Sequence, residues 1–291
     1  MIFLMLLSFM IQASAPSPAD SRPLPDLSAF LEDIRKNLHS DRIVQSRYTY
    51  TEQMILRQLD SKGRVKETDT RVYEVYPSLN ERLTYRRLIS KNGEPLSPGD
   101  IKKQDNAYDK KRRDWEQKLA RENADRKQRR EAEESEAGRR EDEALEEALR
   151  FYDIKMIGRE PWEGIPVIAL TFDPRPGSKP KTEYGKILAK VKGKAWFGEE
   201  DHELVRIDAE LVDTLSFGLG VVARLNKGTR LYFERRRVNR EVWLPAVAQF
   251  QGTGRILLLK GFRIDMETIY SDYRKFSVET DFSIQQRKSE F

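Results

Sequence analysis

Apolar and polar residues alternate over two neighbouring segments near the start of the chain, residues 47–59 and 65–76. Both segments are rich in Tyr, Thr, Val and Ile, and the short polar stretch Asp60-Ser61-Lys62-Gly63 separates them. Alternation with period two is typical of a strand with one covered face, and a short glycine-containing link between two such runs predicts a hairpin. At about 3.3 Å per residue each arm is expected to reach roughly 40 Å, about twice the usual strand.

The same alternation recurs along the rest of the chain, with turn-forming residues about every ten positions. Turns are predicted at Asn92-Gly93, Gly164, Pro174-Arg175-Pro176-Gly177, Gly198-Glu199-Glu200-Asp201, Asn239 and Gly252-Thr253-Gly254. The further strand candidates are residues 82–90, 152–157, 167–172, 187–197, 204–212, 229–238, 241–251, 255–265 and 267–276. This makes about eleven strands without regular alternation of strand and helix, which favours an antiparallel sheet. Such a sheet is expected to curl over one face, because flat exposed strands aggregate.

A helical spacing precedes the strands. One apolar stripe with steps of three or four positions is formed by Leu27, Phe30, Leu31, Ile34 and Leu38. This spacing predicts an amphipathic helix, with Asp26 and Ser28 as candidate N-caps. The predicted fold class is therefore α+β, mainly antiparallel β.

The first residues carry an export pattern. Residues 1–10 form an uncharged apolar run, and Ala13-Ser14-Ala15 offers the small residues that a signal peptidase reads. The run is shorter than the ~20 apolar residues that a membrane span needs. A second match at Ser17-Pro18-Ala19 places the predicted signal peptide at residues 1–19, which implies an exported, periplasmic protein. No Lys or Arg precedes the apolar run, so an uncleaved anchor or a mis-assigned start remains an alternative.

Residues 101–150 form a charged insert with 15 Lys or Arg and 15 Asp or Glu. Its middle has hardly any large apolar residue, so it cannot bury a face of its own. Acidic residues stand four positions before basic ones, a spacing that favours a solvent-exposed helix with ion pairs along its surface. Tyr108, Trp115 and Leu119 fit a heptad pattern, but the pattern fails after about two turns.

Charge is distributed unevenly along this insert. Residues 102–130 hold 12 basic and 6 acidic side chains, whereas residues 131–150 hold 3 basic and 9 acidic ones. The asymmetry is suited to docking a partner protein, and the alternative is an exposed arm whose charges keep it soluble. Apolar periodicity returns at Leu145, Ala148, Leu149 and Tyr152, which predicts that the arm meets the globular body there.

Composition excludes several kinds of function. The chain has no cysteine, which excludes disulfides, thiolate metal sites and cysteine nucleophiles, and its two histidines exclude a His-rich metal centre. Gly218–Ala223 matches GxGxxA with Glu241 following, but segments with strand patterns flank it where a dinucleotide site needs a helix between strands. His202 stands in an acidic turn, where a single histidine is usually solvated. The sequence thus predicts no catalytic residues, no metal and no cofactor.

Nucleic-acid binding is not expected either. The net charge is only +5, and the densest basic cluster, Arg235-Arg236-Arg237 with Arg240, lies in a segment that alternates like a strand. Its side chains are therefore divided between two faces, whereas a nucleic-acid stripe needs them on one.

The order of elements resembles one known superfamily. After the signal peptide, helix and Tyr-rich hairpin, the residues that carry the resemblance are Gly193-Lys194-Ala195-Trp196-Phe197, Leu204-Val205-Arg206-Ile207, Val242-Trp243-Leu244-Pro245 and Tyr270-Ser271-Asp272-Tyr273-Arg274-Lys275-Phe276. The pattern is similar to the LolA-like lipoprotein carriers, which include LolB and the sensor RseB, over about residues 24–100 and 150–285. It implies one domain, residues 20–291, interrupted by the insert at 101–150.

This resemblance implies an unclosed half-barrel whose concave face is roofed by helices and encloses an apolar cavity for acyl chains. The charged insert departs from the compact carriers, and no position here matches the arginine that those carriers use in lid closure.

Bulky residues at alternating strand positions are candidates for the cavity lining. They are Tyr48, Tyr50, Tyr73, Val75, Tyr85, Trp196, Ile207, Phe233 and Trp243. The candidate lid is the apolar, glycine-containing stretch between Asp213 and Lys227, because glycines permit a hinge. Its proposed apolar residues are Phe217, Leu219, Val221, Val222 and Leu225. For both groups the alternative is ordinary core packing.

The function predicted from these features is a non-enzymatic periplasmic carrier or binding protein that holds lipid or lipoprotein acyl chains and touches membranes only transiently. The alternative is an envelope stress sensor or scaffold that acts through the charged insert, residues 101–150, on an envelope protein. An unrecognised hydrolase is a third possibility, although no GxSxG, HExxH or Walker motif occurs.

Overall fold

The computed structural model describes residues 22–37, 45–78, 81–123, 126–129, 149–217, 222–256 and 260–275, together with positions 132, 143, 146 and 147. The signal peptide predicted at residues 1–19 lies outside the described residues. The division into a signal peptide, one domain and an insert therefore stays a prediction.

Thirteen strands in the described part of the chain form one antiparallel sheet. The strands are β1 (Tyr48–Leu59), β2 (Val65–Tyr76), β3 (Tyr85–Lys91), β4 (Glu94–Pro95), β5 (Tyr152–Trp162), β6 (Ile165–Pro174), β7 (Val191–Gly198), β8 (Leu204–Leu211), β9 (Leu215–Phe217), β10 (Ala223–Leu225), β11 (Arg230–Val238), β12 (Val242–Ile256) and β13 (Lys260–Lys275). The order across the sheet is β4-β3-β2-β1-β13-β12-β11-β8-β7-β6-β5, with the β9–β10 hairpin beside β12. The sheet is curved and unclosed, which confirms the predicted α+β, mainly antiparallel class.

Turn chemistry explains the tight connections. Asn92 and Gly93 have φ values of 52° and 86°, and Gly164 has a φ of 83°, conformations that asparagine and glycine adopt at low cost. The link between β1 and β2 is closed by Asp60, whose Oδ1 accepts from the backbone nitrogens of Lys62 and Arg64 at 2.8 and 3.0 Å. These three predicted turns are confirmed.

The turn predicted at Gly252-Thr253-Gly254 is wrong, because β12 continues through it to Ile256. Neither glycine has a positive φ. A Cβ at Gly252 would lie 2.9 Å from the Thr229 side chain, and one at Gly254 would overlap the backbone oxygen of Arg224. Glycine at these two positions therefore allows β12 to approach Thr229 and the backbone of Arg224 closely. Likewise, the separate strands predicted at 255–265 and 267–276 are replaced by the single strand β13.

The strand predicted at 187–197 is also partly wrong. Residues Glu183–Leu188 form a short helix, here α3, and β7 begins only at Val191. Thr182 caps this helix, since its Oγ1 accepts from the backbone nitrogen of Gly185 at 2.8 Å. The N-cap Thr182 is a local signal for the start of a helix. The strand-like alternation of the surrounding residues conceals that signal in the sequence.

Two helices lie against the same face of the sheet. Helix α1 (Leu27–Asn37) buries Phe30 and Ile34 against Ile168 and Leu170 of β6, as its predicted stripe requires. Leu188 of α3 packs against aromatic residues at the start of β5. We call this side of the sheet the α1 face.

The described part of the charged insert is helical at its start. Helix α2 (Pro98–Ala120) is capped by Ser97, whose Oγ accepts from the nitrogen of Asp100 at 3.1 Å. It docks on β3 through Tyr108, whose ring is stacked 4.3 Å from that of Tyr85. The insert thus contacts the sheet within its first turns.

Contacts also occur near the other end of the insert. Glu146 forms an ion pair with Arg35 of α1, and the Glu147 carboxylate accepts from Thr182 Oγ1 at 2.6 Å. These carboxylates lie in the region where the sequence predicts docking, whereas Leu145 and Ala148 lie outside the described residues.

Candidate ligand-binding face

Strand register divides the side chains into two faces. Ile207 pairs with Phe233, Phe233 with Ala248, Ala248 with Thr268, and Thr268 with Met54. Directly paired residues of antiparallel strands project to the same side. This row belongs to the α1 face, because Ile207 also pairs with Ala195 and through it with Leu170, which contacts α1.

Six of the nine predicted lining residues share the α1 face. Tyr50 pairs with Val75 on β2, and Tyr73 pairs with Glu52, two positions beyond Tyr50. Tyr48 is on the same side, since the ring of Tyr273 contacts those of both Tyr48 and Tyr50. The complete set on this face is Tyr48, Tyr50, Tyr73, Val75, Ile207 and Phe233.

The other three lie on the opposite face. Tyr85 pairs with Tyr76 and stacks on helix α2. Trp196 and Trp243 belong to a separate buried cluster with Val167, Ala169 and Val205. Tyr85, Trp196 and Trp243 are therefore separated by the sheet from the other six and cannot line a pocket with them. A sequence shows how side chains alternate within each strand. It does not show which of the two alternating sets faces the same side of the sheet as a given set in the neighbouring strand.

A cluster of tyrosines occupies the α1 face of β1 and β13. The Tyr50 ring centroid lies 5.9 Å from that of Tyr270 and 5.4 Å from that of Tyr273, while Tyr48 and Tyr273 meet edge to face at 6.4 Å. The Tyr273 hydroxyl donates to the Pro245 carbonyl at 2.6 Å. Burial raises the pKa of Tyr50 to about 12, and burial also raises the pKa values of Tyr270 and Tyr273. The cluster is therefore uncharged at neutral pH.

An irregularity in β13 creates this cluster. Tyr270 and Tyr273 are three positions apart and would project to opposite sides of a regular strand. The register shifts between Thr49 and Thr51, and Asp272 adopts a φ of 54°. The extra residue turns both rings towards Tyr50, so the cluster depends on a bulge.

One ion pair interrupts the apolar character of the α1 face. Glu52 is buried, and its Oε2 accepts from Arg86 Nε at 3.0 Å in a two-bond contact. The Arg86 guanidinium also lies 4.4 Å from the centroid of the Tyr73 ring. The pair therefore presents a fixed polar group beside the tyrosine cluster.

The central strands carry an apolar lane along the α1 face. Its half-buried residues are Met54, Leu56, Ile207, Phe233, Ala248, Phe250, Ile264 and Met266. Among the described residues, the helices pack towards the two ends of the sheet, α1 and α3 on β5–β7 and α2 on β3. The lane lies on β1, β13, β12, β11 and β8, on the opposite face from α2, and is neither fully buried nor fully exposed.

The predicted lid begins and ends in strands. The β9–β10 hairpin pairs Leu215 with Leu225, and Leu225 pairs with Gly254 of β12. The hairpin extends the sheet beyond the end of β11. Val222 is 54% exposed. Leu219 and Val221 lie outside the described residues, as does the Phe217 side chain, so closure by this segment stays a prediction.

Several residues of this face were not singled out from the sequence. Glu52, Met54 and Leu56 follow Tyr50 at two-residue intervals, so extending the alternation along β1 finds them. Arg86 gives no such signal, because its role depends on the pairing of β2 with β3. Tyr270 and Tyr273 stand out only in the motif that carries the family resemblance.

The described residues contain neither a metal-binding cluster nor a helix suited to span a membrane. No group of three or more His, Asp or Glu side chains in this part of the chain is arranged to hold a metal ion. Nor is any helix there both long and apolar enough to cross a membrane.

Solved structures with a similar fold come from several bacteria. The chain is similar to a LolA superfamily protein of Nitrosomonas europaea, at 9% identity and a TM-score of 0.29 over 86% of this chain and 94% of that one. It is also similar to an outer membrane lipoprotein-sorting protein domain of Vibrio parahaemolyticus, at 10% identity and a TM-score of 0.30 over 87% and 98% of the two chains. A third is the MucA/MucB complex of Pseudomonas aeruginosa, at 9% identity and a TM-score of 0.23 over 86% and 99%.

The LolA superfamily, which the sequence resembles, is thus among the proteins whose structures are similar to this chain. No protein-family model matches the chain, and no curated protein matches it.

Proposed function

We propose that this protein is a non-enzymatic carrier that holds lipid or lipoprotein acyl chains on the α1 face. The observation that supports the proposal is the apolar lane, in which side chains from five adjacent strands form a continuous half-buried surface. Burial of a methylene group is worth about 0.8 kcal/mol, so a bound acyl chain would gain several kcal/mol by completing the burial of this surface.

The polar groups beside the lane suit an amphiphile. Tyrosine rings offer an apolar body with a hydroxyl at one end, an arrangement that favours a ligand with both apolar and polar parts. The Glu52–Arg86 pair supplies a charged group beside the tyrosine cluster, on the side of Tyr50 and Tyr73. In this proposal the acyl chain lies along Met54, Phe233 and Ile207, while the head group approaches the pair.

Release of the ligand requires a cover that can move. We assign this role to the segment between β9 and β10, whose two ends are fixed by pairing with each other and with β12. The proposed location is the periplasm, following the predicted signal peptide, and contact with membranes is proposed only during loading and delivery.

Ligand binding can be tested with single substitutions on the two sides of one strand. Met54 lies on the α1 face of β1, and its neighbour Ile55 lies on the opposite face, where it pairs with Glu267. Both side chains are half-buried. Met54→Asn is expected to weaken binding of a fluorescent fatty acid at least fivefold, whereas Ile55→Asn should change it less than twofold.

The natural ligand can be identified separately. Protein purified from the periplasm should release acyl species on organic extraction and show the corresponding mass in native mass spectrometry. If repeated preparations carry no acyl species and bind no fluorescent fatty acid, the carrier proposal is wrong. Equal losses for the Met54 and Ile55 variants would place any binding elsewhere.

A further inference from the structure

A groove lies on the far side of the molecule from the apolar lane, between helix α2 and the 3₁₀ turn Glu81–Leu83. Its volume is about 400 Å³. Leu83, Ala107 and Trp115 supply apolar surface within it. Trp115 is only half-buried, so an indole remains available at the floor of the groove.

The rim of the groove is strongly basic. Arg82, Lys110, Lys111 and Lys118 line it against the single carboxylate of Asp114. The Arg82 guanidinium and the Lys118 ammonium lie 5.6 and 5.3 Å from the centroid of the Trp115 ring.

The lysines of this rim are not neutralised by carboxylates in the described part of the chain. No ion pair within 4.0 Å joins Lys110, Lys111 or Lys118 to a described acidic residue, although Asp114 stands four positions before Lys118. Arg112, on the same helix, does pair with Glu116 at 3.2 Å. The positive charge of these three lysines is therefore available to a partner.

We propose that this groove binds an acidic peptide segment of a partner protein, with one aromatic or leucine side chain of the peptide against Trp115. Charge complementarity selects an acidic partner, since three lysines that form no ion pair with a described residue line the groove beside one carboxylate. The apolar floor selects a side chain that can be desolvated, as aromatic anchors are at protein interfaces. The proposal is independent of lipid carriage on the α1 face.

An anionic membrane is the less suitable partner. A bilayer presents a broad layer of negative charge, which attracts a basic surface as a whole and offers no single side chain to a groove. Here the aromatic ring lies between two chain segments, helix α2 and the 3₁₀ turn, where a single side chain can contact it. A peptide can place one residue in the groove and acidic residues at its rim, as helix-groove and acidic-motif complexes do.

The test is fluorescence anisotropy with the full chain and a labelled twelve-residue peptide of Glu and Ser with one central Phe. We expect saturable binding at 50 mM salt that weakens at least tenfold at 500 mM salt, because exposed charges are screened. The double variant Lys110→Glu/Lys118→Glu and the single variant Trp115→Ala should each weaken binding about tenfold. Replacing the peptide Phe by Ser should have a similar effect.

The matched control is Lys102→Glu/Lys103→Glu, which makes the same change of charge on exposed positions of the same helix outside the groove. It should alter binding less than threefold, and circular dichroism should be unchanged for all variants. Equal weakening by both double variants, or no effect of Trp115→Ala, would overturn the proposal. Binding to phosphatidylglycerol vesicles with no binding to the peptide would overturn it as well.

Discussion

The Tyr48 ring is fully buried, and its hydroxyl donates a hydrogen bond to the carboxylate of Glu241, 193 positions away in the chain. Lys275 Nζ donates to the same carboxylate at 2.6 Å. Tyr48 begins β1, Glu241 precedes β12, and Lys275 ends β13. One exposed carboxylate therefore joins three strands at the same end of the sheet.

Removing the Tyr48 hydroxyl should loosen this junction. Tyr48→Phe retains the ring that packs against Val242, Leu244 and Tyr273 but loses a hydrogen bond to a charged group. We expect the free energy of unfolding in urea to fall by about 1–2 kcal/mol. Tyr50→Phe is the control, because no hydrogen bond joins its hydroxyl to a described residue, and it should change stability by less than about 0.5 kcal/mol at neutral pH. Equal effects would show that the Glu241 contact is not stabilising.

The tyrosine cluster should make stability fall at high pH. Burial raises the pKa of Tyr50 to about 12, against about 10 for an unfolded tyrosine. Between these values the unfolded chain releases a proton that the folded chain retains, so this contribution is fully present below pH 10 and is lost as the pH rises towards 12. Urea midpoints at pH 8, 10 and 11 should therefore decline.

The same titration gives a control for that prediction. Tyr50→Phe should reduce the slope above pH 10 without removing it, since burial also raises the pKa values of Tyr270 and Tyr273. Absorbance at 295 nm should show delayed phenolate formation in the folded wild type. A slope that is identical in the variant would contradict the assignment to Tyr50.

Loss of Arg86 should reduce the free energy of unfolding more than loss of its ion-pair partner Glu52. Arg86 is 45% exposed along its side chain and Glu52 only 11%, so losing Arg86 leaves a largely buried carboxylate without its partner. Arg86→Leu is expected to cost about 1–3 kcal/mol, and Glu52→Leu less, because the remaining arginine can reach water. The double variant should be more stable than Arg86→Leu alone, as measured by a double-mutant cycle in urea. A double variant that is less stable than Arg86→Leu would contradict this account.

The local alternation of side chains predicted many of the strands. It did not predict which side chains meet across neighbouring strands. The strand predicted at residues 65–76 has the same bounds in the structure, because the alternation of its side chains and the turn before it act within a few residues. The facing of Trp196 and Trp243 depends instead on the register of their strands with the neighbouring strands. The bulge at Asp272 depends on pairing with Thr49 and Thr51, more than 200 positions earlier. Such long-range choices leave no periodic signal in one sequence.

The glycines of β12 give a further prediction. A Cβ at Gly254 would overlap the backbone oxygen of Arg224 in β10, which cannot move as a flexible side chain can. Gly254→Ala should therefore destabilise the protein by about 1–3 kcal/mol and release the β9–β10 hairpin, seen as faster amide exchange. Gly261→Ala is the matched control in the neighbouring strand, since its Cβ would meet only the Gly254 oxygen at an ordinary 3.6 Å. Faster hairpin exchange in both variants, or in neither, would show that the close approach at Gly254 does not hold the hairpin.

Docking of helix α2 should depend on Tyr108. Its ring is stacked on Tyr85, its hydroxyl donates to the Leu83 carbonyl at 3.0 Å, and Tyr85 in turn donates to Asp105 of the same helix at 2.6 Å. Tyr108→Ser removes the stacking and the hydroxyl contact together, so α2 should lose amide protection and global stability should fall by about 2 kcal/mol. Leu119→Ser changes an exposed residue near the end of the same helix and should leave both unchanged. If α2 stays protected in the Tyr108 variant, the helix is held by other contacts, and the position of the basic groove does not depend on this stack.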